Sequence, residues 1–386
     1  MIILGFMHQL LQNINTMNMK LSKLLLCVCI SVFSCTNNSP VSIVSLTEVS
    51  GKIKLNDIFD EFEYIPLETT DNSIFGSFNK LIVYDNKFFI LDKSVIKKVI
   101  VFHDDGTYSH TIGNIGKGPG EYPSIDDFVI DEERQQVIIL GFPSTVFIYD
   151  MKGQFIQKKQ LSSSQLWNMI SYKDGFVCST NHQSFTSGDD ARLIYVFDRD
   201  FNLKEKILNV LPVYVGIPPF ITNPIFVAGN QIVYFDNFAS KMDFIDIDNL
   251  TESKSIRLEL EREAPPDVYG DAQLFFTTQV DYCFFLNAFF VNNVLWSSFA
   301  NRGKQCVFIM DFTTNKKILS QIDSWYPPIS FYQNGYFYSY MDPLWIMNEH
   351  DMFSAKTITK YPIEDESNPV IVRFKAKEVF ESKIIR

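Results

Sequence analysis

The sequence predicts an all-β chain: a six-bladed β-propeller with four antiparallel strands per blade, the last blade closed by the N-terminal strand. Three observations lead there. Short hydrophobic runs come in pairs joined by a polar turn, six times over. A second kind of pair, turned by aspartate, interleaves with the first. One early strand, Phe62-Glu-Tyr-Ile-Pro-Leu67, has no hairpin partner of its own. Repeats in the forties with four strands each are the signature of propeller blades, and a ring of such blades leaves only short, protected edges. A pair of β-sandwiches or a solenoid would have no use for the lone first strand.

Taken in order, residues 1–35 read as an export signal. Lys20 and Lys23 precede an apolar run from Leu24 to Phe33, which is too short to span a bilayer. The signal reads better from Met17 or Met19, so residues 1–16 are taken as an upstream extension. Val32-Phe-Ser-Cys35 resembles a bacterial lipobox, although Phe33 is bulkier than usual there. Acylation of Cys35 would tether the chain by lipid; an ordinary cleaved signal or an uncleaved anchor is the alternative. Residues 36–60 read as a spacer, residues 61–377 as the propeller and residues 378–386 as a tail.

The first hairpin type runs through Leu81–Tyr84 and Phe88–Leu91, Phe128–Ile130 and Val137–Leu140, Ile170–Tyr172 and Phe176–Ser179, Ile225–Val227 and Ile232–Phe235, Phe289–Val291 and Val294–Trp296, and Ile329–Tyr332 and Tyr336–Tyr338. Its turns include Asp85-Asn86, Asp174-Gly175, Asn292-Asn293 and Asn334-Gly335. These residues tolerate the positive φ that tight hairpins need. The second type places aspartate after an apolar strand, as a side-chain cap for the turn. Asp104, Asp150, Asp198 and Asp246 are spaced by 46, 48 and 48 residues, and the step to Asp311 is 65. An insertion is therefore expected between the last two, over residues 261–279. Val370, Val372 and Phe374 alternate with Arg373 and Lys375 in a final strand. The early strand should lie at the outer edge of that last blade.

Composition bounds the partners. Aromatic residues make up 15% of the chain, which suits half-buried pleated surfaces. The net charge is −11, and removing the leader makes the body more acidic still, since the leader carries two lysines and no acid. That balance argues against nucleic acid or anionic lipid as the main partner, both of which want a basic face. Beyond the leader only Cys178, Cys283 and Cys306 remain, neither a disulfide framework nor a zinc spacing. They read as small buried hydrophobes.

Gly116-Lys-Gly-Pro-Gly-Glu-Tyr122, together with Ile65-Pro-Leu67 and Asn368-Pro-Val-Ile-Val-Arg-Phe-Lys375, resembles the bacterial six-bladed β-propeller lipoproteins. The resemblance spans roughly residues 60–377. It implies export, lipid anchoring and proximity to outer-membrane uptake systems. It carries over no catalytic residue.

No stretch commits to catalysis. The glycines at 116, 118 and 120 are followed by a strand, whereas a phosphate cradle opens a helix. They read as a tight crossing between blades, with an anion nest as the alternative. His103, His110, His182 and His350 are scattered over turns and loops without metal-ligand spacing and read as ordinary turn or surface histidines. Asp126-Asp127 and Asp189-Asp190 are adjacent on extended backbone, where neighbouring side chains face opposite ways, so they make weak acid/base pairs. In a propeller, the blade-joining loops and those between second and third strands gather on one face. Lys117, Glu121, Tyr122, Trp167, Arg192, Lys241, Arg302, Trp325 and Tyr326 are the candidate ligand-binding residues there, with Tyr214, Tyr282 and Trp345 beside them. Aromatics with a few cations suit stacking on sugars or holding acidic groups.

The expected function is a lipid-anchored, monomeric envelope protein that binds a glycan, peptide or protein partner through this face, without metal or cofactor. The alternatives are a propeller-fold glycan lyase or hydrolase and a purely structural assembly subunit. Only Glu48 is acidic between Thr36 and Val49, which leans towards the periplasmic side of the outer membrane rather than surface display.

Overall fold

In a computed structural model of the chain, the structure describes residues 41–49, 51–162, 164–183, 192–215, 217, 223–322, 328–348, 356–357 and 361–377. Three strands come first: β1 (Ser42–Ser45), β2 (Lys52–Ile53) and β3 (Phe59–Ile65). Blade 1 follows as β4 (Lys80–Tyr84), β5 (Lys87–Asp92), β6 (Lys98–His103) and β7 (Tyr108–Ile112). Blade 2 is β8 (Asp127–Asp131), β9 (Gln136–Gly141), β10 (Thr145–Asp150) and β11 (Phe155–Gln160). Blade 3 is β12 (Asn168–Tyr172), β13 (Gly175–Ser179), β14 (Arg192–Asp198) and β15 (Leu203–Asn209). Blade 4 is β16 (Ile225–Ala228), β17 (Gln231–Asp236), β18 (Lys241–Asp246) and β19 (Ser253–Glu259). Blade 5 is β20 (Cys283–Val291), β21 (Val294–Asn301), β22 (Lys304–Asp311) and β23 (Lys317–Ile322). Blade 6 holds β24 (Phe331–Gln333), β25 (Tyr336–Met341), the short β26 (Lys356–Thr357) and β27 (Val370–Ala376).

The ring is closed as the sequence predicts. β3 pairs antiparallel with β27, with Tyr64 opposite Val372, and blade 6 reads β24-β25-β27-β3-β26. Each blade is buried on both faces, because successive side chains of a strand point to opposite sides. In β5, Phe88 and Ile90 pack towards blade 6 with Tyr338 and Ile371, while Phe89 and Leu91 pack towards blade 2 with Phe128 and Ile139. This is why β5 is an uninterrupted apolar run. The other four interfaces repeat the arrangement between blades 2 and 3, 3 and 4, 4 and 5, and 5 and 6. Cys178, Cys283 and Cys306 are buried among these layers as free thiols.

Turn chemistry also follows the sequence. Asp85 with Asn86, Asn292 with Asn293, and Asn334 with Gly335 all have positive φ. Asp150, Asp198, Asp246 and Asp311 each cap two downstream backbone N–H groups of their turns. In blade 1 the series shifts by one residue. His103 occupies the strand-end position opposite Lys87, and Asp105 rather than Asp104 accepts from the Thr107 N–H at 2.9 Å.

The stretch expected to be a spacer is partly built into the ring. β1 lies parallel on the outer edge of β19 in blade 4, and β2 lies parallel on β23 in blade 5. Leu46, Leu55 and Ile58 are buried between them and β3. The chain thus passes along blades 4, 5 and 6 in succession and covers edges that would otherwise offer unpaired backbone groups. The predicted insertion is present as two short helices, Pro266–Gly270 and Ala272–Thr278, and a 3₁₀ turn, Gln279–Asp281. Asp271 caps the second helix by accepting from the Leu274 N–H at 3.0 Å. Tyr269 and Phe275 seat the insertion on Phe238 and Phe284.

Candidate ligand-binding site

The glycine loop between blades 1 and 2 is turned inward. Tyr122 is fully buried and donates its hydroxyl to the Lys97 carbonyl at 3.0 Å. Its ring fills the space beside Gly113, where an added Cβ would stand 2.4 Å from Tyr122 Cε1. Glu121 folds back over Gly116 and Gly118 and accepts from the Gly118 N–H at 2.7 Å. Tyr149 donates to the Gly120 carbonyl at 2.7 Å. Glu121, half-buried, and Tyr122, wholly buried, therefore help to close the loop on itself. Only Lys117 of the motif is an exposed side chain that could offer a charge.

The other candidates are spread around the ring. Lys241 stands 2.9 Å from Asp243, a carboxylate buried in blade 4. Arg302 pairs with Glu261 at 2.8 Å on the insertion. Arg192 opens β14, and the Thr180 hydroxyl donates to its carbonyl at 3.0 Å. Trp167 lies just before β12; its N–H donates to the Ser179 carbonyl, and its indole Nε1 is buried with no partner among the described residues. Trp325, Tyr326, Asp189, Asp190, His350 and Cys35 lie outside the described residues. None of the seven described candidates lines the space the ring encloses.

That space is a cavity of about 590 Å³, lined by the inner strands of all six blades. At the end where those strands begin stand Lys80, Asp127, Asn168, Asn223 and Ser330, and Asn287 stands midway along β20. Most of the remaining wall is apolar. Ile170, Val227, Leu286, Phe289 and Phe331 are prominent in it. The polar groups on the blade 1–3 side are engaged with one another. Lys80 Nζ contacts Asp127 Oδ1 at 2.8 Å and Oδ2 at 3.0 Å, and donates to the Met169 carbonyl at 2.9 Å. An ammonium has three donors, and these three acceptors occupy its surroundings. Asp127 also accepts from the N–H groups of Phe128 and Met169 at 2.8 and 2.7 Å. The pair ties the inner strands of three blades together. Asn168 Oδ1 accepts from Asn181 Nδ2.

Asp126 points away from this cluster, as alternation on extended backbone requires. Gln165 Nε2 donates to its Oδ2 at 3.1 Å, and burial pushes its pKa up to about 6. His182, expected as an ordinary turn or surface histidine, sits in a turn but is 1% exposed. The Leu211 N–H donates to its Nδ1 at 3.1 Å, which leaves the proton on Nε2, 3.1 Å from Asp236 Oδ2. It bridges blades 3 and 4 under Tyr214 and Phe238. No pattern in the sequence marked His182 or the lining of the cavity, since both depend on which blades become neighbours. Among the described residues no three His, Cys, Asp or Glu side chains converge as a metal site.

A ring of six four-stranded blades around an axial cavity defines the class: an all-β propeller with a central pocket. The chain belongs to the family described as Domain of unknown function (DUF4934), whose profile matches residues 40–375. A solved protein of Bacteroides fragilis, named for its inferred export, is similar at 16% identity with a TM-score of 0.69, covering 87% of this chain and 100% of its own. BamB of Moraxella catarrhalis is similar at 12% identity and a TM-score of 0.42, covering 69% of this chain and 68% of its own. PorZ of Porphyromonas gingivalis, a component of a type-IX secretion system, reaches 10% identity and a TM-score of 0.38, with 70% and 30% covered. The first of these likenesses shows the fold, and the other two carry no argument. No curated protein matches the chain by sequence.

Proposed function

We propose that this chain is an exported, lipid-anchored propeller of the cell envelope that binds a partner at the loop face and the mouth of its axial cavity. The observation that carries the reading is the cavity itself: six inner strands enclose a volume within the range of ligand sites. The leader ending in Val32-Phe-Ser-Cys35 supports export and acylation. The inferred export of the similar Bacteroides fragilis protein agrees with it. Attachment at the periplasmic face of the outer membrane fits the near absence of acids just after Cys35. The ion pairs and hydrogen bonds of Lys80, Asp127, His182 and Asp236 have structural partners, which favours a binding role over an enzyme.

Two measurements test this. Cys35→Ala should move the protein from the membrane to the soluble fraction; unchanged membrane attachment would remove lipid anchoring. A glycan and peptide array probed with the purified chain should give hits that weaken in Trp167→Ala and Arg192→Ala. Turnover of an arrayed glycan would replace the binding role with an enzymatic one.

A further inference from the structure

We infer that the axial cavity takes an uncharged, lipophilic small molecule and discriminates against anions; this deepens the binding role proposed above and rests on it. The first observation is a β-bulge. β20 pairs with β21 in register up to Phe285 opposite Phe299, then resumes at Asn287 opposite Ser298. Leu286 is the extra residue, released from the ladder and aimed into the cavity, where it is 41% exposed. Bulges re-aim side chains in this way beside functional sites. Val227 of the adjoining inner strand is likewise 37% exposed there. Two large aliphatic side chains left open inside a ring whose blades are otherwise packed on both faces are apolar surface that a ligand would cover.

The second observation concerns charge. Lys80 is the one cation that lines the cavity among the described residues, and Asp127 with the Met169 carbonyl already surrounds its ammonium. An incoming carboxylate, phosphate or sulfonate would have to displace Asp127, which would then lose its buried counter-ion. Glu132, near the opposite end, adds negative charge to the same lining. Entry of an anion would therefore strip its hydration with no free cation among the described residues of the lining to compensate. Phe289 and Phe331 complete walls suited to an aliphatic or aromatic body.

The test uses the full chain carrying Cys35→Ala, free of lipid, and two fluorophores with the same pair of ring systems. Neutral N-phenyl-1-naphthylamine should bind saturably at one site with enhanced emission. Its sulfonated relative, 1-anilinonaphthalene-8-sulfonate, should bind about tenfold more weakly or worse. Leu286→Trp combined with Val227→Phe narrows the cavity beside the bulge and should weaken binding of the neutral probe about tenfold. Val227→Asn, a milder change at a half-exposed position, should weaken it several-fold if the double variant does not fold. Phe276→Ser alters an exposed side chain on the insertion and should leave binding unchanged. Equal binding of both probes, or binding lost in Phe276→Ser and kept in the cavity variants, would overturn the inference. Array hits for a glycan or peptide with no uptake of the neutral probe would sink this inference and leave the broader binding role standing. Probe uptake with an empty array would keep the cavity as the binding site and exclude glycan and peptide as its partners.

Discussion

Replacing Phe59 by alanine should cost about 3–5 kcal/mol, the usual range for deleting a buried phenyl ring. Phe59 opens the strand that closes the ring and is 0% exposed. Its ring meets Phe374 edge-on at 4.8 Å, Trp296 at 5.5 Å and Phe337 at 5.8 Å. One side chain thus joins the early strand, the last strand of the chain and blade 5. Aromatic pairs contribute about 0.5–1.5 kcal/mol each beyond the area they bury, so the upper half of the range is expected. Against a domain stability of roughly 5–15 kcal/mol, that is a large fraction. Urea unfolding followed by tryptophan emission is the assay, because Trp296 lies in the same cluster. The midpoint should fall while the slope stays constant, since the surface exposed on unfolding is unchanged. A double-mutant cycle with Phe374→Ala should show coupling of about 0.5–3 kcal/mol. A loss below about 1 kcal/mol, outside the range for a buried phenyl, with no coupling to Phe374, would refute the closure of the ring by this strand.

Three further outcomes follow from the same structure. Ser298 is 0% exposed and its hydroxyl has no partner among the described residues, so Ser298→Ala should raise stability by about 1 kcal/mol, read as a higher midpoint in urea. In the glycine loop, Gly120 has φ +77° and an added Cβ would lie 2.6 Å from Phe155 Cβ. Gly120→Ala should lower the melting temperature clearly while Lys117→Ala leaves it unchanged; equal effects would return the motif to a ligand-facing role. Asp126 is held by burial at about 6, above its ordinary 3.8. The native state then binds the proton more tightly than the unfolded chain, so this group's contribution is full below pH 4 and declines as pH rises through about 6. Asp126→Asn should remove that decline, seen as a melting-temperature gain over the parent that grows from pH 4 to pH 7. A constant difference would show that Asp126 does not titrate in that window.

The predictions from sequence succeeded where the determining physics is local. Alternating and continuous apolar runs gave the strands, Asn-Gly and Asn-Asn turns gave the hairpins, and Asp150, Asp198, Asp246 and Asp311 marked the capped turns. Even the closing strand was legible, because Phe62 to Leu67 had strand pattern and no local partner. The parallel additions β1, β2 and β26 were not, since segments of two to four residues carry no periodicity and find their edges only after blades 4, 5 and 6 exist.

The site divides the same way. Residue type marked Lys117, Arg192, Lys241 and Arg302 as candidates, but not that Arg192 and Lys241 would open strands, nor what each would face. Glu121 turns onto its own glycines because Gly116 and Gly118 leave room for a carboxylate, and Tyr122 plugs the blade 1–2 interface beside Gly113. Leu286 reads in the sequence as one more apolar residue of a strand, and His182 as one more loop histidine. The sequence by itself determined the number of blades and the chemistry of their turns, since both arise among residues close along the chain. Only the tertiary structure decided which side chains line the axis and which are buried between blades. Those outcomes depend on contacts between segments from 42 residues apart, as for Asp127 and Met169, to 310 apart, as for Glu63 and Arg373.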